Sequence, residues 1–168
     1  MSDKINVLFV CTGNICRSPL AEAVMRDYVQ KQNLNDKFGI DSAGTSHFHV
    51  GQGVDFRSVV VARQNNIKIG HVARQLMPDD FNTYQFILVM DDMNYRQVTD
   101  LANQYASNSK VLYLREFDPE AREGSYNMDV PDPYEGEDRG FEEVFHMCKR
   151  SVEGFVSTLQ KTDDGIRS

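Results

Sequence analysis

Two cysteines and an arginine lie close together near the start of the chain, in the stretch VCTGNICRSP, as Cys11, Cys16 and Arg17. The chain contains three cysteines in all, and the third, Cys148, is far away in sequence. A zinc site would need more cysteine or histidine ligands nearby, and a permanent disulfide is typical of secreted proteins. A third possibility is a catalytic thiolate in a loop that binds an anion.

The seven residues from Cys11 to Arg17 fall between an apolar strand pattern and a helical pattern. A short loop wrapped in this way turns backbone N–H groups inward as an anion-binding nest, and the following helix adds its positive end. We expect Gly13 to adopt a backbone angle that other residues resist. The guanidinium of Arg17 suits a bidentate grip on two phosphate oxygens. The same field favours the nucleophilic thiolate form of Cys11.

Phosphoryl transfer from an alkoxide or phenoxide also needs a proton donor. A long loop is predicted at 115–140, which holds three of the five prolines and many acidic residues. Loops of this length in compact domains are often functional. The candidate acids are Asp118, Asp129 and Asp132. We favour Asp132, because the proline after it stiffens the backbone and Tyr134 offers an aromatic surface to an aryl substrate.

Hydrophobic patterning predicts strands that alternate with helices. We expect strands at 5–10, 38–43, 86–90 and 110–114, and helices at 54–65, from 91 onward and at 141–159. We also expect a helix that begins with Ser18 as its N-cap, with Pro19 in first position and Glu22 in a capping box. The fold class is therefore α/β, a three-layer α/β/α arrangement around a central four-stranded parallel sheet. It is flavodoxin-like or Rossmann-like, with a phosphate-binding loop after the first strand.

Length and charge limit the remaining possibilities. The 168 residues fit one domain, assigned to 1–161, with a polar tail at 162–168 that we expect to fray. The net charge of −7 argues against nucleic-acid or anionic-membrane partners, which need a basic surface. No apolar run approaches about 18 residues, and the N-terminus has no signal-peptide pattern. We expect a soluble, cytoplasmic protein with reduced cysteines, present as a monomer or weak dimer.

The motifs together resemble one family. The string CTGNICRSPLAEAV contains a Cys-x5-Arg-Ser signature, and it is similar to the low-molecular-weight class of protein tyrosine phosphatases. The resemblance covers nearly the whole chain in the family's order. Its further segments are Asp41–Thr45, Ala73–Gln75, Met90-Asp91 and Asp132–Tyr134.

The resemblance implies a chemistry without a metal or another cofactor. Cys11 would attack phosphotyrosine in a protein substrate and form a phosphocysteine intermediate, while Arg17 binds the phosphate. Asp132 would protonate the leaving group and then act as the base on water, and Ser18 would hydrogen-bond the leaving thiolate. The implied phosphate-binding residues also include Thr12, Gly13, Asn14, Ile15 and Cys16.

Other positions match supporting roles in the family. Asn14 would hold the loop in its strained shape, with support from Ser42 and His71. Phe48 and Tyr134 would line the substrate cleft, and His47 and His49 would lie at or near it. Cys16 would form a reversible disulfide with Cys11 and protect it from overoxidation. The chain departs from the pattern in Phe48, where many relatives have a larger aromatic residue, and in Glu135, where some animal members have a second tyrosine.

Three other functions remain open. A thiol-dependent arsenate reductase shares the scaffold but needs a further cysteine relay, and Cys148 is isolated and expected in the core. A protein-arginine phosphatase resembles this sequence but carries threonine where this chain has Ile15. A catalytically inert phosphotyrosine-binding module would be expected to lack Cys11 or Asp132, and both are present.

Overall fold

The computed structural model describes residues 4–122 and 127–167. These residues form a four-stranded parallel sheet in the order β2-β1-β3-β4. The strands are β1 (Ile5–Cys11), β2 (Phe38–Gly44), β3 (Phe86–Val89) and β4 (Lys110–Tyr113). The helices are α1 (Arg17–Lys31), α2 (Phe56–Gln64), α3 (Asp80–Thr83), α4 (Asp92–Gln104), α5 (Pro119–Arg122) and α6 (Asp138–Arg167). Short 3-10 turns lie at Asn35–Lys37 and Leu114–Phe117.

Strand β1 is buried on both faces, as its apolar sequence predicts. Val7 and Phe9 pack into the core shared with α1, α2 and α6. Leu8 and Val10 point the other way, into the core shared with α3 and α4. All four side chains are fully buried. The predicted three-layer α/β/α architecture is therefore confirmed.

The strand order places a crevice at the end of β1. Strand β2 pairs with one edge of β1, and the next strand along the chain, β3, pairs with the other edge of β1. In parallel sheets, ligands bind at such a switch point, beyond the carboxyl ends of the strands. Cys11 is the last residue of β1 and pairs in register with Gly44. The fold thus places this cysteine at the expected position of a ligand site.

The predicted start of the first helix is wrong in detail. Helix α1 begins at Arg17, Cys16 occupies the capping position, and no side chain caps the helix. Ser18 lies inside the first turn, and its hydroxyl contacts Cys11 instead of the helix backbone. Glu22 forms no capping box, because its carboxylate accepts a hydrogen bond from Ser42 on β2. Neither side chain caps the N-terminus of α1.

The segment after β4 is more ordered than a single long loop. The 3-10 turn and α5 occupy part of 115–140, and α6 begins at Asp138. Helix α6 also continues past the predicted end at residue 159, and its backbone is helical to Arg167, through most of the predicted tail. Residues 123–126 of the predicted loop and Ser168 of the predicted tail lie outside the described residues, as do residues 1–3. No helix in the described part of the chain has the length and apolarity needed to cross a membrane.

Candidate active site

Cys11 lies at the floor of a cleft above the end of β1. Its side chain is almost fully buried. The sulfur lies 2.9 Å from Ser18 Oγ and accepts the backbone N–H of Asn14 at 3.3 Å. Two polar groups therefore lie within hydrogen-bond distance of one sulfur atom.

Asn14, rather than Gly13, takes up the unusual backbone conformation of the loop. Its φ angle is +60°, in the left-handed region that asparagine tolerates better than most residues. Gly13 is needed for space, because a Cβ there would lie 2.8 Å from the ring of His49. Gly44 is needed for the same reason, because a Cβ there would lie 2.6 Å from the carbonyl oxygen of Thr12. The expected role of Gly13 is corrected accordingly.

The side chain of Asn14 joins the loop to β2. Asn14 Oδ1 accepts the backbone N–H of Arg74 at 3.0 Å, which assigns this atom as the oxygen. Asn14 Nδ2 then donates to Ser18 Oγ at 2.8 Å and to Ser42 Oγ at 3.0 Å. Ser18 Oγ accepts this bond from Asn14, and its own proton can be donated to the sulfur of Cys11. The network therefore connects Asn14 to Cys11 through Ser18.

The network is completed by His71 and Glu22. Because Asn14 Oδ1 is an acceptor, His71 Nε2 donates to it, across 2.8 Å. The hydroxyl of Ser42 donates to Glu22 Oε1 at 2.7 Å, and His71 Nδ1 lies 3.3 Å from the same oxygen. The structure thus brings Ser42 and His71 together behind the loop, where both contact the side chain of Asn14.

One cluster near this network has metal-ligand chemistry. Potential ligand atoms of Glu22, Asp41 and His71 lie within 4.8 Å of one another. Both carboxylates already pair with arginines, however: Arg26 lies 3.0 Å from Glu22, and Arg74 lies 3.1 Å from Asp41. These guanidinium groups supply the positive charge that a cation would bring, so the cluster is well satisfied as a structural network.

Arg17 is buried beside the loop with its guanidinium oriented from behind. Nη1 donates to Asp91 Oδ2 at 2.7 Å and to the carbonyl oxygen of Val130 at 3.0 Å. Nη2 lies 3.6 Å from Asp132 Oδ2. Burial disfavours the charge of Arg17, but Cys11, Asp91 and Asp132 more than offset this effect, and the pKa of Arg17 is raised above its ordinary value. The guanidinium is therefore a fixed cation within the cleft.

Asp132 and Tyr134 approach the cleft from the loop that precedes α6. Asp132 is about half exposed, and its Oδ1 accepts the backbone N–H of Tyr134 at 3.1 Å. The ring of Tyr134 lies 5.7 Å from the ring of His49, which itself covers Gly13. Phe48 is strongly exposed on the opposite loop. These side chains form the aromatic walls of a cleft. Its floor is the cysteine loop, residues 11–17.

The cleft has an empty volume of about 440 Å³. It collects most of the predicted site residues in one place. Its lining residues are Cys11, Thr12, Gly13, Asn14, Ile15, Cys16, Arg17, Ser46, Phe48, His49, Asp132 and Tyr134. Ser18 is the exception among the predicted phosphate-binding residues, because it is fully buried behind Cys11.

The other two cysteines differ from Cys11. Burial, followed by the charges of Asp55 and Cys11, raises the pKa of Cys16 well above its ordinary value. Burial also raises the pKa of Cys148 to about 12. Both groups are therefore neutral thiols at physiological pH.

Comparisons with known proteins identify the family of the chain. Residues 6–164 match the sequence model of the low molecular weight phosphotyrosine protein phosphatase family. The chain belongs to this family. The human low molecular weight phosphotyrosine protein phosphatase is 40% identical over 152 residues, which cover 90% of this chain and 93% of the human protein.

Solved structures of related phosphatases have the same fold. A protein tyrosine phosphatase from Entamoeba histolytica superimposes with a TM-score of 0.86 at 34% identity, covering 95% of this chain and 99% of that chain. A Drosophila arginine phosphatase superimposes with a TM-score of 0.84 at 29% identity, covering 91% of this chain and 96% of that chain. The fold therefore accommodates proteins that are named for two different substrates.

Some residues of this low-molecular-weight phosphatase site were not singled out from the sequence. Asp91 was noted only within a matching segment, yet it contacts the guanidinium of Arg17. The signal was its position two residues after the end of β3, since the ends of β1 and β3 adjoin. Arg74, whose backbone N–H donates to Asn14, was likewise noted only within the matching segment Ala73–Gln75, whereas Arg57, which contacts the loop of Tyr134, had no comparable signal. Their partners are 60 and 77 residues away in sequence.

Proposed function

We propose that this protein is a phosphotyrosine phosphatase that uses Cys11 as its nucleophile. The observation that carries the proposal is the arrangement around one sulfur atom. Ser18 and Asn14 direct hydrogen-bond donors to it, and buried Arg17 lies in the same cleft beneath the carboxylate of Asp132. A nucleophile, a cation for the phosphate and a proton donor are therefore within reach of one phosphate ester.

The reaction has two steps. The Cys11 thiolate attacks phosphorus, a P–S bond forms, and the P–O bond to the tyrosine breaks as Asp132 protonates the phenolic oxygen. Asp132, now a carboxylate, takes a proton from water, whose oxygen attacks phosphorus and displaces Cys11 as the thiolate. Ser18 donates a hydrogen bond to this thiolate in both steps, and Arg17 stabilises the charge on the transferring phosphoryl group.

Support for tyrosine as the substrate comes from the walls of the cleft. Phe48, His49 and Tyr134 present aromatic surfaces, and Ile15 adds an apolar one. A phenyl ring packs well against such surfaces. A phosphorylated guanidinium would leave its N–H groups without polar partners beside Ile15. Buried N–H groups without a hydrogen-bond acceptor lower the binding free energy, because their contacts with water are lost and not replaced. These features favour phosphotyrosine over phosphoarginine as the substrate.

The experiment that tests the proposal is hydrolysis of three phosphopeptides, each phosphorylated on tyrosine, arginine or serine, with EDTA and a reductant present. Phosphate release mainly from the phosphotyrosine peptide would support the proposal. Release mainly from the phosphoarginine peptide would retain the Cys11 mechanism and overturn the substrate. Arsenate reduction without any peptide hydrolysis would overturn the proposal and assign the protein as an arsenate reductase. That reaction needs a further cysteine, and Cys148, the one cysteine outside the loop, is buried and neutral.

We further propose that Cys16 protects Cys11 through a reversible disulfide, in a protein that works in the cytoplasm as a monomer or weak dimer. Peroxide would oxidise the Cys11 thiolate to a sulfenic acid. The thiol of Cys16 would then displace water from it and form the disulfide. In support, both cysteines lie in the same loop and line the same cleft.

A further inference from the structure

Arg57 lies between the cysteine loop and the loop that carries Asp132. It belongs to the first turn of α2. Its guanidinium contacts two backbone carbonyl groups of the acid-bearing loop, residues 127–137, which carries Asp132. Nη2 donates to the carbonyl oxygen of Tyr134 at 2.7 Å, and Nη1 donates to that of Gly136 at 3.0 Å. Both carbonyl groups follow Asp132 closely in sequence, so Arg57 holds the acid-bearing loop just after the acid.

The same residue is fixed on the side of the cysteine loop. Arg57 Nε and Nη2 each lie 3.1 Å from a different carboxylate oxygen of Asp55. The backbone N–H of Asp55 donates to the carbonyl oxygen of Ile15 at 2.8 Å. The residue after Arg57, Ser58, donates through its Oγ to the carbonyl oxygen of Cys16 at 3.3 Å. Continuous hydrogen bonds therefore connect the cysteine loop to Tyr134 through Asp55 and Arg57.

Two aromatic rings pack against the guanidinium of Arg57. The central carbon of the guanidinium lies 4.4 Å from the ring centroid of Phe141 on α6 and 5.8 Å from that of Tyr134. Phe141 is almost fully buried, so its ring is a rigid surface. A planar group with several donors can stack and hydrogen-bond at once, whereas an ammonium group cannot. A lysine at this position would therefore not replace the arginine.

Asp132 depends on contacts of this kind because little else holds it. Its side chain is about half exposed, and its carboxylate lies 3.6 Å from Arg17, the cation that would bind the phosphate. On the N-terminal side, the loop is anchored where the backbone N–H of Val130 donates to the carbonyl oxygen of Met90 at 2.6 Å. On the C-terminal side, the anchor is Arg57. The acid lies between these two attachments.

We propose that Arg57 is a positioning residue that holds Asp132 over the leaving-group oxygen. This inference rests on the proposed function, because it assigns Arg57 a role only through the general acid. It separates two tasks within the cleft. Binding of the phosphate depends on the cysteine loop and Arg17, whereas delivery of the proton depends on the spacing that Arg57 maintains.

The test compares Arg57→Met, Arg57→Lys and Arg57→Gln with the unaltered protein on aryl phosphates whose phenols differ in acidity. For phenyl phosphate and phosphotyrosine, which need a proton, we expect kcat/KM to fall by about 10–100-fold. For dinitrophenyl phosphate, whose phenolate leaves unaided, we expect a change of less than about threefold. Inhibition by inorganic phosphate should stay unchanged, and Arg57→Lys should not restore the loss. Arg63→Met, an exposed arginine on the same helix, is the matched control.

A double substitution tests whether Arg57 acts through Asp132. Added to Asp132→Asn, Arg57→Met should cost less than about threefold more on phenyl phosphate, because the proton donor is already absent. An equal loss for all leaving groups, weaker phosphate inhibition or a fully additive double substitution would overturn the inference. Thermal unfolding selects which of the three single variants is folded enough for the comparison. An unaltered protein without activity on any aryl phosphate would instead refute the proposed function itself.

Discussion

Arg17 and Asp91 are joined by a hydrogen bond of 2.7 Å between Nη1 and Oδ2, and both groups are largely shielded from water. The other carboxylate oxygen of Asp91 accepts the backbone N–H of Asn94 at 2.8 Å and so caps α4. The carboxylate of Asp91 thus orients Arg17, the candidate phosphate-binding cation at the start of α1. It also connects Arg17 to α4, which packs on the opposite face of the sheet from α1. The orientation of Arg17 is set before any phosphate arrives.

Substitution of Asp91 should therefore weaken phosphate binding. A charged hydrogen bond of this kind contributes about 1.5–3 kcal/mol, so Asp91→Asn should lower kcat/KM for phosphotyrosine peptide by about 10–100-fold. The inhibition constant of inorganic phosphate should rise in parallel, since the same cation binds it. The control is Asp100→Asn, an exposed aspartate on the same helix. Unchanged phosphate inhibition in Asp91→Asn would show that Arg17 does not need this partner.

Cys11→Ser should separate binding from turnover. The serine hydroxyl is a far weaker nucleophile than a thiolate, but the loop and Arg17 remain. We expect turnover of phosphotyrosine peptide to fall below detection while the peptide still binds, as measured by calorimetry or fluorescence anisotropy. Cys148→Ser, which changes a cysteine in the core, serves as the comparison. Measurable turnover by Cys11→Ser would contradict the phosphocysteine mechanism.

Asp132→Asn should affect substrates according to their leaving groups. The amide keeps the shape of the side chain but cannot donate an acidic proton. We expect kcat/KM to fall by about 10²–10⁴-fold for phenyl phosphate and by much less for dinitrophenyl phosphate. Asp129→Asn, which changes another aspartate of the same loop, is the matched control. A uniform loss across both substrates would assign Asp132 a role in binding instead of proton transfer.

Local sequence patterns predicted the strands and the cysteine loop well. Val7 to Val10 form an apolar run long enough for a strand buried on both faces, and the residues after it have the composition of a phosphate-binding loop. The same patterns failed for Ser18, whose capping signature is purely local. Its hydroxyl instead contacts the sulfur of Cys11 and accepts a hydrogen bond from Asn14, two contacts that depend on how the loop folds and not on the local capping pattern.

Long-range contacts could not be predicted in this way. Arg57 meets Tyr134 across 77 residues of sequence, and Arg17 meets Asp91 across 74. Such pairs depend on how strands and loops are placed in space, which hydrophobic periodicity does not report. Arginines also occur throughout the surface of most proteins, so their type alone indicates no partner. The network of Asn14, Ser42 and His71 was expected only because the sequence resembles a known family.

Mild peroxide should inactivate the enzyme reversibly. We expect dithiothreitol to restore most of the activity after treatment, and peptide mass spectrometry to find a Cys11–Cys16 disulfide. In Cys16→Ser, the sulfenic acid of Cys11 has no partner and oxidises further, so recovery should be largely lost. Cys148→Ser should recover like the unaltered protein. Full recovery in Cys16→Ser, or no bridge in the unaltered protein, would assign Cys16 to packing alone.

The final prediction concerns acid stability and the fully buried carboxylate of Asp118, next to α5. Its oxygens accept from Arg150 Nε at 2.9 Å and from the backbone N–H of Glu120 at 3.0 Å, and Arg115 Nε lies 3.4 Å away. Burial acts to raise the pKa of Asp118, but these hydrogen bonds outweigh it, and the pKa is lowered from its ordinary value. The folded state therefore favours the charged form more than the unfolded state does.

The sign of the pH dependence follows from that direction. Stability contributed by Asp118 is fully present above the unfolded pKa of about 3.9 and is lost as the pH falls through the lower folded value. Arg150→Met should lower the free energy of unfolding by about 2–3 kcal/mol at pH 7, less than for a fully buried pair, because Arg115 remains. The difference should shrink as the pH falls toward 3, where the unpaired Asp118 becomes protonated. Urea unfolding at several pH values measures it, with Lys149→Met as the exposed control. A difference that stays constant with pH would show that Arg150 stabilises the fold through packing rather than through the charge of Asp118.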